Sequence, residues 1–267
     1  MVAPPAPTSA TAAPILGRPT VWIGAAVAAS WGLTALLLLV GHGDLVSHHA
    51  VIEQVLSAPL AVVTFVLVWE LMITAMMLPS AMPVIGIVAR VAARGPRPGT
   101  TLAVFLAAYF AVWTAFAMAA LVGDAGLHWL VHQWSWLHEN EHVIPATLLI
   151  GAGVFQLTPL KERCLTECRN PLQFVWRRYA PGVGAAWRLG LAHALFCVGC
   201  CWALMLVMFA LGMESLALMA IITGVMVAEK TWRAASRLVP VVSAGLIGLG
   251  LLVGLVPEAL SGLPPLP

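Results

Sequence analysis

Charged residues are scarce in this sequence. Lysine, arginine, aspartate and glutamate together account for 9% of the 267 residues, whereas soluble domains contain about 25%. Apolar residues make up 61%. A chain with so few charges lacks the polar surface that a water-soluble globule needs, so the composition excludes that class of protein.

Several functional motifs are absent as well. The sequence contains no P-loop, GxSxG or HExxH motif, so nothing indicates nucleotide or hydrolytic chemistry. It has only two tyrosines and no soluble basic surface, which argues against nucleic-acid binding. The segment CVGCC is not followed by histidine, so the pattern for covalent haem attachment is missing.

Long apolar runs are present instead and predict an all-α, polytopic membrane helix bundle. About 20 apolar residues cross the hydrocarbon core of a bilayer. The sequence has about seven such runs, at residues 20–40, 59–83, 101–122, 143–159, 188–211, 213–229 and 238–257. We therefore expect one transmembrane domain over residues 19–258, between a disordered lead-in of residues 1–18 and a short tail of residues 259–267.

The lysines and arginines predict the orientation of the bundle. All 13 precede the first run or follow the second, fourth and sixth runs. Because cytoplasmic loops retain these residues, the N-terminus is predicted inside and the C-terminus outside. The alternate loops contain neither residue type and hold seven of the eight histidines.

Glu70 lies inside the second apolar run, where an ionised carboxylate is costly unless it is paired or hydrated. It is therefore a functional candidate, and a protonated glutamate bonded to a neighbouring helix is the alternative. Met76 and Met77 follow it, between Met72 and Met82. Thioethers favour Cu(I), but methionine also fills gaps in apolar helices.

The fifth apolar run contains a stripe of potential ligands for soft metal ions. Helical spacing places five side chains along one face: His193, Cys197, Cys201, Met205 and Met208. Cys200 lies beside this stripe. Imidazole, thiolate and thioether ligands select copper or zinc. The alternative is that the cysteines are small apolar residues at a helix interface.

Two more cysteines lie in the predicted cytoplasmic loop after the fourth run. Cys164 and Cys168 are four residues apart and would share one face of a short helix. Their basic neighbours Lys161, Arg163 and Arg169 should raise the thiolate fraction. A solvated loop with incidental thiols is the alternative.

Two charged residues, Glu229 and Lys230, lie at the inner end of the sixth run. Long charged side chains at a helix end often extend to the lipid surface. We expect these two to anchor the helix there rather than to form a charged gate.

Histidines predict a metal-loading surface on the outer side. His128 and His132 are four residues apart, and so are His138 and His142. This spacing lets two imidazoles hold one metal ion. Interfacial histidines among membrane-surface tryptophans are the alternative. The outer loops also contain His42, His48 and His49.

Three segments carry a resemblance to a known family. They are AMMLPSAMP at residues 75–83, QLTPLKERCLTECRNP at residues 156–171, and CVGCCWALMLVMFALGM through VMVAEK at residues 197–230. In these segments the chain resembles a bacterial family of predicted metal-binding integral membrane proteins, a domain of unknown function. The resemblance implies a metal-binding, multi-pass protein of the bacterial inner (cytoplasmic) membrane.

These patterns favour a protein that binds a soft transition metal within the bundle and transports or delivers it, with the direction left open. Copper is the expected metal and zinc the alternative. The predicted site comprises Glu70, Met76, Met77, His193, Cys197, Cys200 and Cys201. The secondary candidates are Cys164, Cys168, His128, His132, His138 and His142.

Two other functions remain open at this stage. The protein could be a membrane thiol or metal oxidoreductase, or a helical subunit of a larger membrane complex whose polar residues join helices. The expected partners are membrane lipid, other membrane subunits and a metallochaperone, and nucleic acid is not expected.

Overall fold

The computed structural model describes residues 18–40, 58–211, 215–232 and 235–256. These ranges are helical and contain no strand, which confirms the predicted all-α class. Their helices are α1 (Arg18–Leu39), α2 (Ala58–Ala92), α3 (Pro98–Gln133), α4 (Ser135–Glu139), α5 (Val143–Gln156), α6 (Pro159–Arg169), α7 (Pro171–Arg178), α8 (Val183–Leu211), α9 (Leu216–Thr231) and α10 (Ala235–Leu255). His42, His48, His49, residues 1–17 of the lead-in and the C-terminal tail lie outside the described residues.

Within the described ranges, five helices are long and apolar enough to cross a membrane: α1, α2, α3, α8 and α10. Helices α5 and α6 meet the same requirement only as a pair, with a 63° bend between them. Helix α9 has 16 residues, which at 1.5 Å per residue is about 24 Å, shorter than a bilayer core of about 30 Å. The described residues thus contain five or six such helices, where the sequence predicts about seven.

Helix α2 extends beyond its predicted run and contains two prolines, Pro79 and Pro83. Pro79 has no backbone N–H, so the carbonyl of Ala75 four residues earlier has no partner within the helix. The indole of Trp31 on α1 donates a hydrogen bond to this carbonyl at 3.0 Å. Helix α1, which packs along α2, therefore satisfies a backbone group that the proline leaves unpaired.

Helix α8 lies at the centre of the packing and contacts α3, α5, α6 and α9. Its closest approach to α3 is at Gly190, where an added Cβ would lie 2.4 Å from the carbonyl oxygen of Phe105. Helices α5 and α10 approach similarly at Gly153, where a Cβ would lie 2.6 Å from Ile247. Small residues let helix backbones come this close in an apolar environment.

Polar side chains are buried in the apolar core around α8. They include Gln156, Lys161, His193, Glu229 and Lys230. Burying a charge is costly unless a partner compensates it. We therefore expect compensating ion-pair or hydrogen-bond partners in the part of the core that contains these residues.

Candidate functional site

The three cysteines of α8 lie in the core and are free thiols. The Sγ atoms of Cys200 and Cys201 are 3.4 Å apart. The Cys200 thiol also donates to the carbonyl oxygen of Cys197 at 3.2 Å. The residues chosen from the sequence thus present several sulfur atoms to one interior region.

Helix α6 adds its own cysteines to this region. The Sγ of Cys168 lies 3.9 Å from the Sγ of Cys200. Cys164 faces Gly199, since a Cβ at that glycine would lie 2.6 Å from the Cys164 sulfur. We refer to Cys168, Cys197, Cys200 and Cys201 as the thiol cluster.

This arrangement corrects two expectations for the loop after the fourth run. Cys164 and Cys168 are each 8% exposed, so they are not incidental thiols of a solvated loop. Burial raises the pKa of the Cys164 thiol, so its thiolate fraction falls rather than rises. Helix α6 turns this thiol towards Gly199 on α8, into the apolar core.

Lys230, near the end of α9, extends into the thiol cluster. Its ammonium donates to the Cys197 Sγ at 3.1 Å and to the hydroxyl of Ser80 on α2 at 2.9 Å. The Tyr109 hydroxyl on α3 is 3.1 Å from the same sulfur. Side chains of α3 and α9 therefore meet Cys197 of α8, α2 is joined to them through Lys230, and a cation lies beside the Cys197 sulfur.

A buried ion pair lies where α6 meets α9, and its acidic residue directly precedes Lys230 in the chain. Lys161 and Glu229 are each 1% exposed and form an ion pair at 2.7 Å. Lys161 also donates to the side chain of Gln156, and Arg169 donates to the backbone carbonyl of Glu229 at 2.8 Å. The expectation that Glu229 and Lys230 anchor the helix at the lipid surface is wrong, because both side chains are buried by α6 and α8.

His193 lies one turn before Cys197 on α8, within a ring of aromatic residues. Its imidazole centroid is 5.9 Å from that of Phe105, 5.6 Å from that of Tyr109 and 5.5 Å from that of Phe174. Its Nε2 atom is buried and has no hydrogen-bond partner among the described residues. An unpaired imidazole nitrogen is costly in an apolar core, so His193 retains an available ligand atom.

Met76 and Met77 on α2 are fully buried. They precede Ser80, the α2 residue that Lys230 contacts, by four and three residues, so they lie about one turn from that contact.

Glu70 lies ten residues before Ser80, which corresponds to about 15 Å along α2. Its Oε1 accepts a hydrogen bond from Thr114 on α3, and its buried Oε2 has no partner among the described residues. The hydrogen bond from Thr114 therefore places Glu70 beside α3, apart from the thiol cluster.

The four outer histidine candidates line one cavity of about 650 Å³. His128 and His132 come from the end of α3, His138 from α4, and His142 directly precedes α5. Asp124 and Glu141 line the same cavity. Two spacing pairs identified in the sequence are thus brought together at one end of the bundle.

Ligand groups are close in these regions without forming a complete metal site. Among the residues that the structure describes, no three His, Cys, Asp or Glu side chains are arranged to hold a metal ion. Sequence analysis also missed several of the partners, including Ser80, Tyr109, Thr114 and Gln156. The only available signal for these was a polar side chain within or beside an apolar run.

Comparison with known proteins identifies the family. The model of the PpoB2 family, described as a copper chaperone, matches residues 66–253. The chain belongs to this copper chaperone family. The match covers more than two thirds of the sequence and contains the whole thiol cluster, Lys230 and the outer cavity. No curated protein and no solved structure shows a significant match.

Membership of the copper chaperone family confirms the predicted relation to copper. The family that the three sequence segments resemble is also metal-related, so the two findings agree at that level. The family model that matches the chain is that of PpoB2. The individual ligand assignments remain predictions.

Proposed function

We propose that this protein is an integral membrane copper chaperone that holds Cu(I) in the thiol cluster and delivers it to a partner. The observation that carries the proposal is the meeting of Cys168 on α6 with Cys200 and Cys201 on α8 inside the core. Thiolate and thioether ligands select Cu(I) over hard cations, and the chain belongs to a copper chaperone family.

The spacing of the sulfur atoms suits a three-coordinate ion. Two metal–sulfur bonds of about 2.3 Å that meet at roughly 120° separate their sulfurs by about 4.0 Å. The Sγ atoms of Cys168 and Cys200 are 3.9 Å apart, and Cys201, whose Sγ is 3.4 Å from that of Cys200, would supply the third sulfur after a side-chain rearrangement. The copper chaperone family of the chain favours Cu(I) over zinc as the ion held by these sulfurs.

Lys230 supplies the positive charge that such a site needs. A Cu(I) ion bound by two thiolates and one neutral thiol has a net charge of −1, which is unfavourable in an apolar core. The ammonium of Lys230 is buried beside Cys197 and points into the thiol cluster. We therefore assign to Lys230 the role of counter-ion to the copper complex.

The remaining candidates are proposed as ligands along the path of the ion. Met76 and Met77 lie about one turn from Ser80, and Met205 is buried one turn after Cys201. His193 and Glu70 lie beyond the thiol cluster, each with a buried atom that has no hydrogen-bond partner among the described residues.

For the membrane arrangement we propose that all seven apolar runs cross or enter the bacterial inner membrane, with the N-terminus inside and the C-terminus outside. The charge map carries this proposal. The hydrogen bond from Arg169 to the Glu229 carbonyl supports it, because it joins two of the basic segments on one side. Copper would pass to a metallochaperone or to another membrane subunit.

Metal content after anaerobic Cu(I) loading tests the proposal. We expect the wild-type protein in detergent to retain about one copper ion and Cys168→Ser to lose most of it. Cys164→Ser is the matched control, since it removes a thiol from the same helix that makes no sulfur contact with the thiol cluster. A wild-type protein that stays copper-free, or equal copper loss in both variants, would contradict the proposed site.

The oxidoreductase alternative uses the same sulfur atoms. A cycle between two thiols and a disulfide would need Cys168 and Cys200, whose Sγ atoms are 3.9 Å apart. Thiol titration distinguishes the functions, because a copper chaperone keeps these thiols reduced during metal transfer, whereas the oxidative half of an oxidoreductase cycle converts two of them into a disulfide.

A further inference from the structure

The outer cavity combines metal-binding side chains with an accessible opening. It is lined by His128, His132, His138 and His142, together with Asp124 and Glu141. The side chains of His128, His138 and Glu141 are 36%, 64% and 59% exposed, respectively. An ion from the surrounding solution can therefore reach these ligand atoms directly.

The contacts within the cavity orient its imidazoles. Glu141 Oε1 is 3.0 Å from Nδ1 of His138, which directs Nε2 of that ring away from the carboxylate. Asp124 lies farther from its histidine, 3.8 Å from Nε2 of His128, which is an electrostatic contact rather than a hydrogen bond. Carboxylates that hold one nitrogen of a histidine are the usual outer partners of metal-binding imidazoles.

Two of the rings are separated by a distance that fits one bridging ion. The ring centroids of His132 and His138 are 6.5 Å apart. Two metal–nitrogen bonds of about 2.0 Å, added to the two half-rings, place the centroids roughly 6 Å apart. This estimate applies to two bonds in line through the ion, and both side chains are exposed, so their rings can rotate to direct a nitrogen towards it.

The donor atoms of this cavity differ from those of the thiol cluster. Imidazole nitrogen and carboxylate oxygen favour Cu(II), whereas sulfur favours Cu(I). We infer that the histidine cavity is a separate binding site for a divalent copper ion at the outer end of the bundle. This inference requires neither the thiol cluster to bind copper nor any change in the oxidation state of the ion.

The base of the cavity lies close to the thiol cluster along α8. Leu206 lines the cavity, and Cys201 precedes it by five residues, or about 7.5 Å along the helix. The buried Met205 lies between them. The two regions are thus neighbours along one helix but offer different donor atoms, so each is proposed to hold its own oxidation state of copper.

Electron paramagnetic resonance of purified protein with one equivalent of Cu(II) tests the cavity. We expect nitrogen hyperfine structure from imidazole ligands in the wild type. The double variant His132→Ala with His138→Ala should lose this signal and bind Cu(II) at least tenfold more weakly. Ni(II), which thiols do not reduce, serves as a second probe and should show the same loss of affinity.

A matched pair of variants separates ligation from general surface charge. Glu141 lines the cavity and contacts His138, whereas Glu139 is exposed and does not line it. Glu141→Gln should weaken Cu(II) and Ni(II) binding severalfold, and Glu139→Gln should leave both unchanged. Unchanged Cu(II) and Ni(II) affinities in the histidine double variant, or equal effects of the two glutamine variants, would overturn the inference. Cu(I) retention by the thiol cluster is measured separately, so the two proposals can fail independently.

Discussion

Replacing Lys230 with leucine removes the buried charge beside the thiol cluster without adding a sulfur atom that could itself bind Cu(I). The known losses are the hydrogen bonds to Ser80 and Cys197. Exchange of a buried ionic group for an apolar one of similar volume is often neutral or stabilising. We therefore expect the fold to survive and the affinity for Cu(I) to fall.

Coulomb's law gives the expected magnitude. The ammonium of Lys230 lies 3.1 Å from the Cys197 sulfur, a distance at which unit charges attract by about 5 kcal/mol at an effective dielectric constant of about 20. In the copper complex the negative charge is shared among sulfurs, and a mean separation of roughly 6 Å reduces the attraction to about 3 kcal/mol. Since about 1.4 kcal/mol corresponds to a tenfold change, the affinity should fall roughly 100-fold.

Anaerobic competition with a coloured Cu(I) chelator measures this affinity, and thermal unfolding in detergent measures stability. Lys230→Arg keeps the charge and should stay within about tenfold of the wild type. A folded Lys230→Leu protein that binds Cu(I) within threefold of the wild type would refute the counter-ion argument.

Three further substitutions test the packing. Lys161→Met leaves Glu229 buried without its cation, so the free energy of unfolding should fall by about 3–5 kcal/mol; an unchanged thermal transition would show that the ion pair contributes little. Gly190→Ala should lower the free energy of unfolding by about 1–3 kcal/mol because α8 must move away from α3. Gly184→Ala is the control, since an added Cβ there meets open space on the same helix. Equal melting temperatures of the two variants would contradict the close approach of α8 to α3. Trp31→Phe removes the hydrogen-bond donor to the Ala75 carbonyl, which Pro79 leaves unpaired within α2. The free energy of unfolding should fall by about 1 kcal/mol in the same assay. Wild-type stability would mean that this carbonyl does not need the indole donor.

Several parts of the candidate site could be predicted because they depend on spacing within one helix. The stripe from His193 to Met208 follows from the helical period, and Cys197, Cys200 and Cys201 are indeed buried together. The pairs of outer histidines follow from the same rule. What the spacing could not predict is that Cys168 would contact Cys200, since this contact joins residues 32 positions apart.

Hydropathy and charge also led to one wrong interpretation. Lys230 and Glu229 sit at the end of a short apolar run, and such a position usually allows long side chains to reach the lipid surface. In the structure α6 folds against α8 and α9, and this packing buries both residues. The bend after α5 decides their environment, and the apolar pattern of their own helix contains no information about that bend.

The sequence by itself determined the helical class, the apolar segments, the one-sided distribution of basic residues and the supply of sulfur and imidazole ligands. These properties are local, because composition and helical periodicity act within a single segment. Only the tertiary structure decided that two cysteine-containing segments meet, that Lys230 lies beside a thiol and that four histidines share one cavity. Those outcomes depend on which helices touch, and helix contacts arise from side-chain packing between segments that are distant in the chain.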